Sequence, residues 1–218
     1  MPIKAILFDH DGTLVDSEST HLAMWRKALE PYNANITDDE YWTRLLGVPA
    51  EENARILIEM CDLQADIPTL VEAKMQHTTQ HLTHTPFPKI AGADHILSTL
   101  WDRARLAMVS GSQRVCINAT LKGHQWEDYF DVVVTGDDVP NNKPHPDSYL
   151  KALEQLGVPA NQAVAIEDTE SGVKAAAAAG IPVIAVRNVF SKAHDFSLAS
   201  QEVESLAQAQ AWIEERLS

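Results

Sequence analysis

The chain begins with an apolar run, Ile3 to Phe8, that breaks at once into "DHDGTLVD", which sets carboxylates at Asp9, Asp11 and Asp16 around Gly12. Four further short β-rich runs follow: Arg105 to Val109, Val132 to Thr135, Ala163 to Glu167 and Pro182 to Val186. From Gly92 onward they alternate with segments of helical period, Ala93 to Trp101, Arg114 to Leu121, Ser148 to Leu156 and Ser171 to Ala179. Continuous apolar strands interleaved with helices predict an α/β fold with a parallel sheet covered on both faces.

The stretch from Ser17 to about Thr85 is different. It reads as helical throughout, in "HLAMWRKALE", "EENARILIEM" and "LVEAKMQHTTQHL", with no strand pattern, so it predicts a helical insert. Pro86 and Pro88 stiffen the return to the sheet. The expected division is therefore residues 1–16 and 87–218 as the sheet domain and 17–86 as an all-helical domain inserted after the first strand. The tail from Gln201 to Leu217 predicts one amphipathic surface helix.

Composition narrows the partners. A chain of 218 residues, 45% hydrophobic, can build one sizeable core with a small appended domain. Its net charge of -14 repels polyanions, so nucleic acid and anionic membrane surfaces are not expected partners, and an anionic substrate needs locally placed cations. Two cysteines, Cys61 and Cys116, suggest neither a disulfide framework nor a zinc ligand set and favour a reducing compartment. No window reaches membrane-spanning length. A cytoplasmic protein is expected, with monomer as the default state.

In open α/β sheets, ligands gather where strands end at their carboxyl edge. Each informative polar cluster falls at such an edge. The first strand delivers Asp9 and Asp11, the second "SGS" (Ser110, Gly111, Ser112), the loop after the third "NKPHP" with Lys143, and the fourth Glu167 and Asp168. An aspartate after a strand is ordinarily a turn or helix cap, and a lysine before proline is ordinarily surface loop. Four strands converging acids, hydroxyls and one ammonium on one place make that plainer reading inadequate.

The order "DHDGTLVD", "SGS", "KPHP", "ED" resembles the haloacid dehalogenase-like hydrolase superfamily, in its branch with a helical cap after the first strand, similar to β-phosphoglucomutase and small sugar-phosphate phosphatases. The likeness runs from Ile3 to about Val186. It implies a Rossmann-like core with a cap and phosphatase chemistry on a small phosphate ester. It also implies Mg²⁺ among Asp9, the Asp11 carbonyl and Asp168, with Glu167 either ligating directly or acting through bound water. Hard oxygen ligands suit that ion, and its charge would relieve the crowding of acids. Asp9 is the implied nucleophile and Asp11 the general acid/base; Ser110, Gly111 and Lys143 bind phosphoryl oxygens, while Gly12 and Thr13 support the turn. Dehalogenases of the superfamily resemble D-x-Y-G-T where this chain has Asp11, so dehalogenation is not expected.

Departures also inform. The mutase branch presents an arginine from a G-V-S-R loop and a lysine after its second-strand motif, whereas this chain has "GVPA" at Gly47 to Ala50 and Gln113. Arg44 or Arg55 would have to substitute, so a phosphoryl mutase is the alternative and hydrolysis the expectation. A non-catalytic phospho-ligand-binding module is the alternative outside enzymes, disfavoured by the complete set of catalytic residue types. His21 matches a histidine that the mutase branch places near the acid/base, and Glu18 is a substrate contact or a first-turn helix acid. His10, between the two acids, is expected to point away from them and pack. His77, His81 and His84 share a helical face and could suggest zinc, but nothing completes the ligand set. Cys116, Trp25, Tyr41 and Trp42 read most simply as core.

Overall fold

A computed structural model describes residues 2–189 and 191–217. They divide into two compact units, Met1–Asp16 with Pro88–Ser218, and Ser17–Phe87. The division falls one residue later than the proline pattern suggests, because Phe87 is buried and its ring stands edge-on to His21, 5.4 Å away, inside the helical unit.

The larger unit is a six-stranded sheet: β1 (Ala5–Phe8), β2 (Arg105–Val109), β3 (Val132–Val134), β4 (Ala163–Glu167), β5 (Val183–Val186) and β6 (Gln201–Val203). The order is β3-β2-β1-β4-β5-β6 and every pairing is parallel. Strand order reverses at β1, so the carboxyl ends of β1 and β4 flank the crevice where such sheets bind ligands. Phe8 pairs with Ile166, which brings the acids following both strands alongside one another.

Alternate residues of the strands face opposite layers, and both sets are buried. Leu7, Val109, Val134 and Ala165 pack with Tyr149 and Leu153 of α7 (Asp147–Leu156) and Val173 of α8 (Glu170–Ala178). Ile6, Phe8, Met108 and Ile166 are fully buried on the other side of the sheet. The remaining helices of this unit are α5 (Ala93–Leu100), α6 (Arg114–His124) and α9 (Leu206–Glu214), and α9 packs on α5, β5 and β6.

The tail corrects the sequence expectation. Instead of one helix it forms β6, then α9, whose first turn is capped by Ser205 accepting from Gln208 N-H at 3.3 Å. Unlike the equally short β3, which is all valine, β6 reads Gln-Glu-Val and offers no apolar run to mark it.

The helical unit contains α1 (Glu18–Leu29), α2 (Asp38–Arg44), α3 (Ala50–Met60) and α4 (Ile67–Leu82). Its own core gathers Leu22, Trp25, Leu29, Tyr41, Leu57 and Leu70. Thr37 and Glu40 close a capping box on α2, and Asp66 accepts from Thr69 N-H at 2.8 Å to start α4. Among the described residues no helix is long and apolar enough to cross a membrane.

Candidate active site

Strand β1 ends at Phe8, and the Asp9 N-H still donates to Ile166 O of β4 at 3.0 Å. That bond fixes Asp9 beside the end of β4. Asp9, Glu167 and Asp168 are buried, and each offers a carboxylate oxygen within 4.8 Å of the others. Lys143 joins them. Its Nζ donates to Asp9 Oδ1 at 2.6 Å, to Glu167 Oε1 at 2.6 Å and to Val109 O at 2.9 Å, so its three protons are all engaged.

Were all three carboxylates ionised, one ammonium would leave two uncompensated negative charges in a buried site. The electrostatics reflect this. Burial first, then Glu167, push the Asp9 carboxyl up to about 7, although Lys143 pulls the other way. Asp168 is also held well above the usual carboxylate range, by burial and then by Asp9 and Glu167. Burial alone would lower Lys143, but Asp9 and Glu167 together raise it above its ordinary value. Hard, buried oxygens with a charge deficit of two suit a divalent cation of the Mg²⁺ kind.

Two glycines make this crowding sterically feasible. Gly12 has φ +82°, and a Cβ there would lie 2.1 Å from Asp168 Oδ2. A Cβ on Gly172, in the first turn of α8, would lie 2.0 Å from the Glu167 carboxylate. Thr169 caps the same turn by accepting from Gly172 N-H at 3.1 Å, so the positive end of α8 follows directly on Asp168.

Asp11 occupies a neighbouring cluster. Its Oδ2 accepts from Ser112 Oγ at 2.7 Å and Ser110 Oγ at 3.1 Å, and lies 3.0 Å from His10 Nδ1. The Asp11 carboxylate thus faces the β2 serines, and the metal contact expected of this residue is its main-chain carbonyl, not its side chain. Ser110 also accepts from Ser112 N-H at 2.9 Å, and Gly111 between them is exposed. Thr13 is buried with Oγ1 3.5 Å from Asp168 Oδ1.

His10 is buried as expected, with Nε2 3.0 Å from Thr120 Oγ1 of α6, yet it does not turn away from both acids. The strand has ended at Phe8, so the two-residue alternation that predicted its direction no longer applies.

Two participants escaped the sequence reading. The Tyr149 hydroxyl donates to Glu167 Oε1 at 2.6 Å, and Asn188 Nδ2 donates to Asp168 Oδ2 at 2.8 Å. Ser112, expected at the strand-end cluster without a role of its own, holds Asp11. Asn188 follows β5, so the strand-end rule applied to the fifth apolar run would have found it. Tyr149, on the apolar face of α7, is indistinguishable from core in the sequence.

Glu18 and His21 belong to α1 of the helical unit. Tyr41 Oη donates to Glu18 Oε2 at 2.6 Å, and His21 Nδ1 lies 3.2 Å from Nζ of the buried Lys74. Trp25 and Tyr41 are buried in that unit's core, and Trp42 packs against it. His77, His81 and His84 do not assemble as a site: among the described residues the only group of three or more potential ligands is Asp9, Glu167 and Asp168. Cys116 is buried in α6, and both cysteines are free thiols.

This sheet order, with paired acids at the switch point and a helical insert after the first strand, defines a hydrolase fold of a known kind. Residues 6–186 match the Haloacid dehalogenase-like hydrolase family, and the chain belongs to it. It is 33% identical over 183 residues to the phosphorylated carbohydrates phosphatase of Thermotoga maritima, a match covering 82% of each chain. It is 32% identical over 184 residues to the fructose-1-phosphate phosphatase YqaB of Escherichia coli, covering 84% of this chain and 95% of that one. Among solved structures, CbbY from Rhodobacter sphaeroides in complex with xylulose-1,5-bisphosphate is similar with a TM-score of 0.81 and 26% identity, over 94% of this chain and 96% of that one.

Proposed function

We propose that this protein is a phosphoric monoester hydrolase acting on small phosphorylated carbohydrates through an aspartyl-phosphate on Asp9. The observation that carries the reading is the buried cluster of Asp9, Glu167 and Asp168 with Lys143 at the switch point of the sheet, two charges short of neutrality. The relatives named for sugar-phosphate hydrolysis support the substrate class.

Asp9 and Asp168, with the Asp11 carbonyl and with Glu167 directly or through water, would hold Mg²⁺, which when bound supplies positive charge against the phosphoryl oxygens. A carboxylate oxygen of Asp9 attacks phosphorus, and the bond from phosphorus to the sugar oxygen breaks. Asp11 gives its proton to the departing alkoxide. In the second step Asp11 takes a proton from water, the water oxygen bonds to phosphorus, and Asp9 leaves, releasing inorganic phosphate. Ser110 and Ser112 hold Asp11 for both transfers through Oδ2. Lys143 carries the compact positive charge nearest the nucleophile and stabilises the transferring group electrostatically.

Hydrolysis is favoured over phosphoryl transfer between sugar positions. The loop Gly47 to Ala50 carries no arginine, and Arg55 is bound to Glu52 and Glu59 on its own helix.

The test is phosphate release from a panel of pentose and hexose monophosphates, with Mg²⁺ or EDTA, beside Asp9→Asn. Metal-dependent release that vanishes in the variant is expected. Release that survives Asp9→Asn, or silence across the whole panel, would overturn the reading.

A further inference from the structure

Beyond β5, Asn188 and Ser191 bond to each other and reach back to the acids. Asn188 Nδ2 donates to Asp168 Oδ2 at 2.8 Å and to the Gly12 carbonyl at 3.4 Å. The other end of the amide is fixed by Ser191, whose N-H and Oγ donate to Asn188 Oδ1 at 3.0 and 3.2 Å. The Asn188 N-H returns a bond to Ser191 Oγ at 3.0 Å. A flipped amide would set its NH2 against the Ser191 N-H and its oxygen against Asp168 Oδ2 and the Gly12 carbonyl, so one orientation alone satisfies both sides. Arg187 anchors Ser191 by donating to its carbonyl oxygen at 2.5 Å, and Ser191 is buried.

The choice of an amide matters physically. Asp168 shares its surroundings with Asp9 and Glu167, whose charges push its carboxylate away. A lysine at 188 would hold it but cancel the charge that attracts a cation, and an aspartate would add repulsion. An asparagine fixes the carboxylate and leaves its charge intact. Through Gly12 the same amide also ties the turn after β1 to the end of β4.

We propose that Asn188, oriented by Ser191, is a positioning residue that sets the Asp168 carboxylate and the Gly12 turn for a divalent cation. This rests on the reading above that the acids hold such an ion. Loss of a group that orients a metal ligand typically weakens affinity about 10- to 100-fold.

The experiment is calorimetric titration of Mg²⁺ into the wild type, Asn188→Ala and Ser191→Ala, with phosphate release followed as a function of Mg²⁺. Asn188→Ala is expected to weaken Mg²⁺ binding about 10- to 100-fold, and Ser191→Ala by less. The Mg²⁺ concentration for half-maximal release rises accordingly and kcat recovers at saturating Mg²⁺, while the melting midpoint in EDTA falls because a hydrogen bond to a buried carboxyl is lost. Wild-type Mg²⁺ affinity in Asn188→Ala overturns the proposal, as does a loss of kcat that excess Mg²⁺ does not restore. Should Asn188→Ala fail to fold, an unchanged affinity in Ser191→Ala overturns it alone. Absence of Mg²⁺ binding by the wild type fells both this proposal and the functional reading, whereas tight binding by wild type and variants alike fells only this one.

Discussion

The Lys143 ammonium lies 2.6 Å from the Asp9 carboxylate and is as buried as its partner, each side chain being 9% exposed. Removing one member of such a pair strands the other charge, and here it would leave three neighbouring carboxylates with no cation of the protein's own. Lys143→Met should therefore cost about 3–5 kcal/mol of stability in EDTA near pH 8. Urea unfolding checks this, and Mg²⁺ should restore part of the loss. Phosphate release should fall by about 100-fold or more, the scale of losing one preorganised charge-stabilising group.

Stability of the metal-free protein should fall as pH rises toward neutrality. Asp9 has its carboxyl raised from 3.8 to about 7. The native state therefore holds this proton where the unfolded chain has already lost it, and its contribution, fully present below the unfolded value, is lost as pH rises through the folded one. Melting midpoints in EDTA should decline between about pH 4 and pH 7 and then level off, since each pKa unit is worth about 1.4 kcal/mol. Mg²⁺ should flatten the profile, because binding displaces the same proton, so its apparent affinity rises with pH over that interval. Asp9→Asn should abolish turnover yet raise the EDTA midpoint at pH 8. A midpoint lowered by that substitution would refute the repulsion argument.

Tyr149→Phe removes the hydroxyl that shares Glu167 Oε1 with Lys143. Hydrogen bonds to charged groups are worth about 1.5–3 kcal/mol, and a loss in that range is expected on urea unfolding. The hydroxyl and Lys143 both hold Oε1, which orients the whole carboxylate toward Asp9 and Asp168. Phosphate release should therefore decline with a raised Mg²⁺ requirement rather than disappear. Unchanged Mg²⁺ dependence would mean that Tyr149 serves packing alone.

The chemistry-bearing ends of four strands were legible because each follows an apolar run, and a run that ends in charge is conspicuous. Asp9, Lys143, Glu167 and Asp168 do meet in the structure. What escaped was whatever depends on side-chain direction beyond a strand's last paired residue. His10 and Asp11 lie past Phe8, where alternation no longer predicts facing, so their contact with each other and that of Asp11 with the β2 serines were invisible. Tyr149 was hidden for another reason: a hydroxyl on a buried helix face leaves no trace in a hydrophobic pattern. The edge strand β6 was lost because Gln201 and Glu202 give it no apolar run, and with it went the split of the tail.

Gly12 offers the most stringent steric test of the site. Its φ of +82° disfavours any side chain, and the space a Cβ would need is held by Asp168 Oδ2 at 2.1 Å. Gly12→Ala pays twice, once for a left-handed backbone at about 1–2 kcal/mol and again for displacing a carboxylate. That carboxylate is fixed by Asn188 and Thr13, so it cannot move cheaply. The variant should lose stability on urea unfolding by somewhat more than the backbone term alone, and calorimetry should find Mg²⁺ binding weakened beyond 10-fold, the lower end of the cost of disturbing a ligand's support. Gly157→Ala is the control, since its φ is +65° but a Cβ there meets nothing within 4 Å. It should pay the backbone cost and bind Mg²⁺ like the wild type. Equal Mg²⁺ affinity in the two variants would show that the contact with Asp168 does not shape the ion's site.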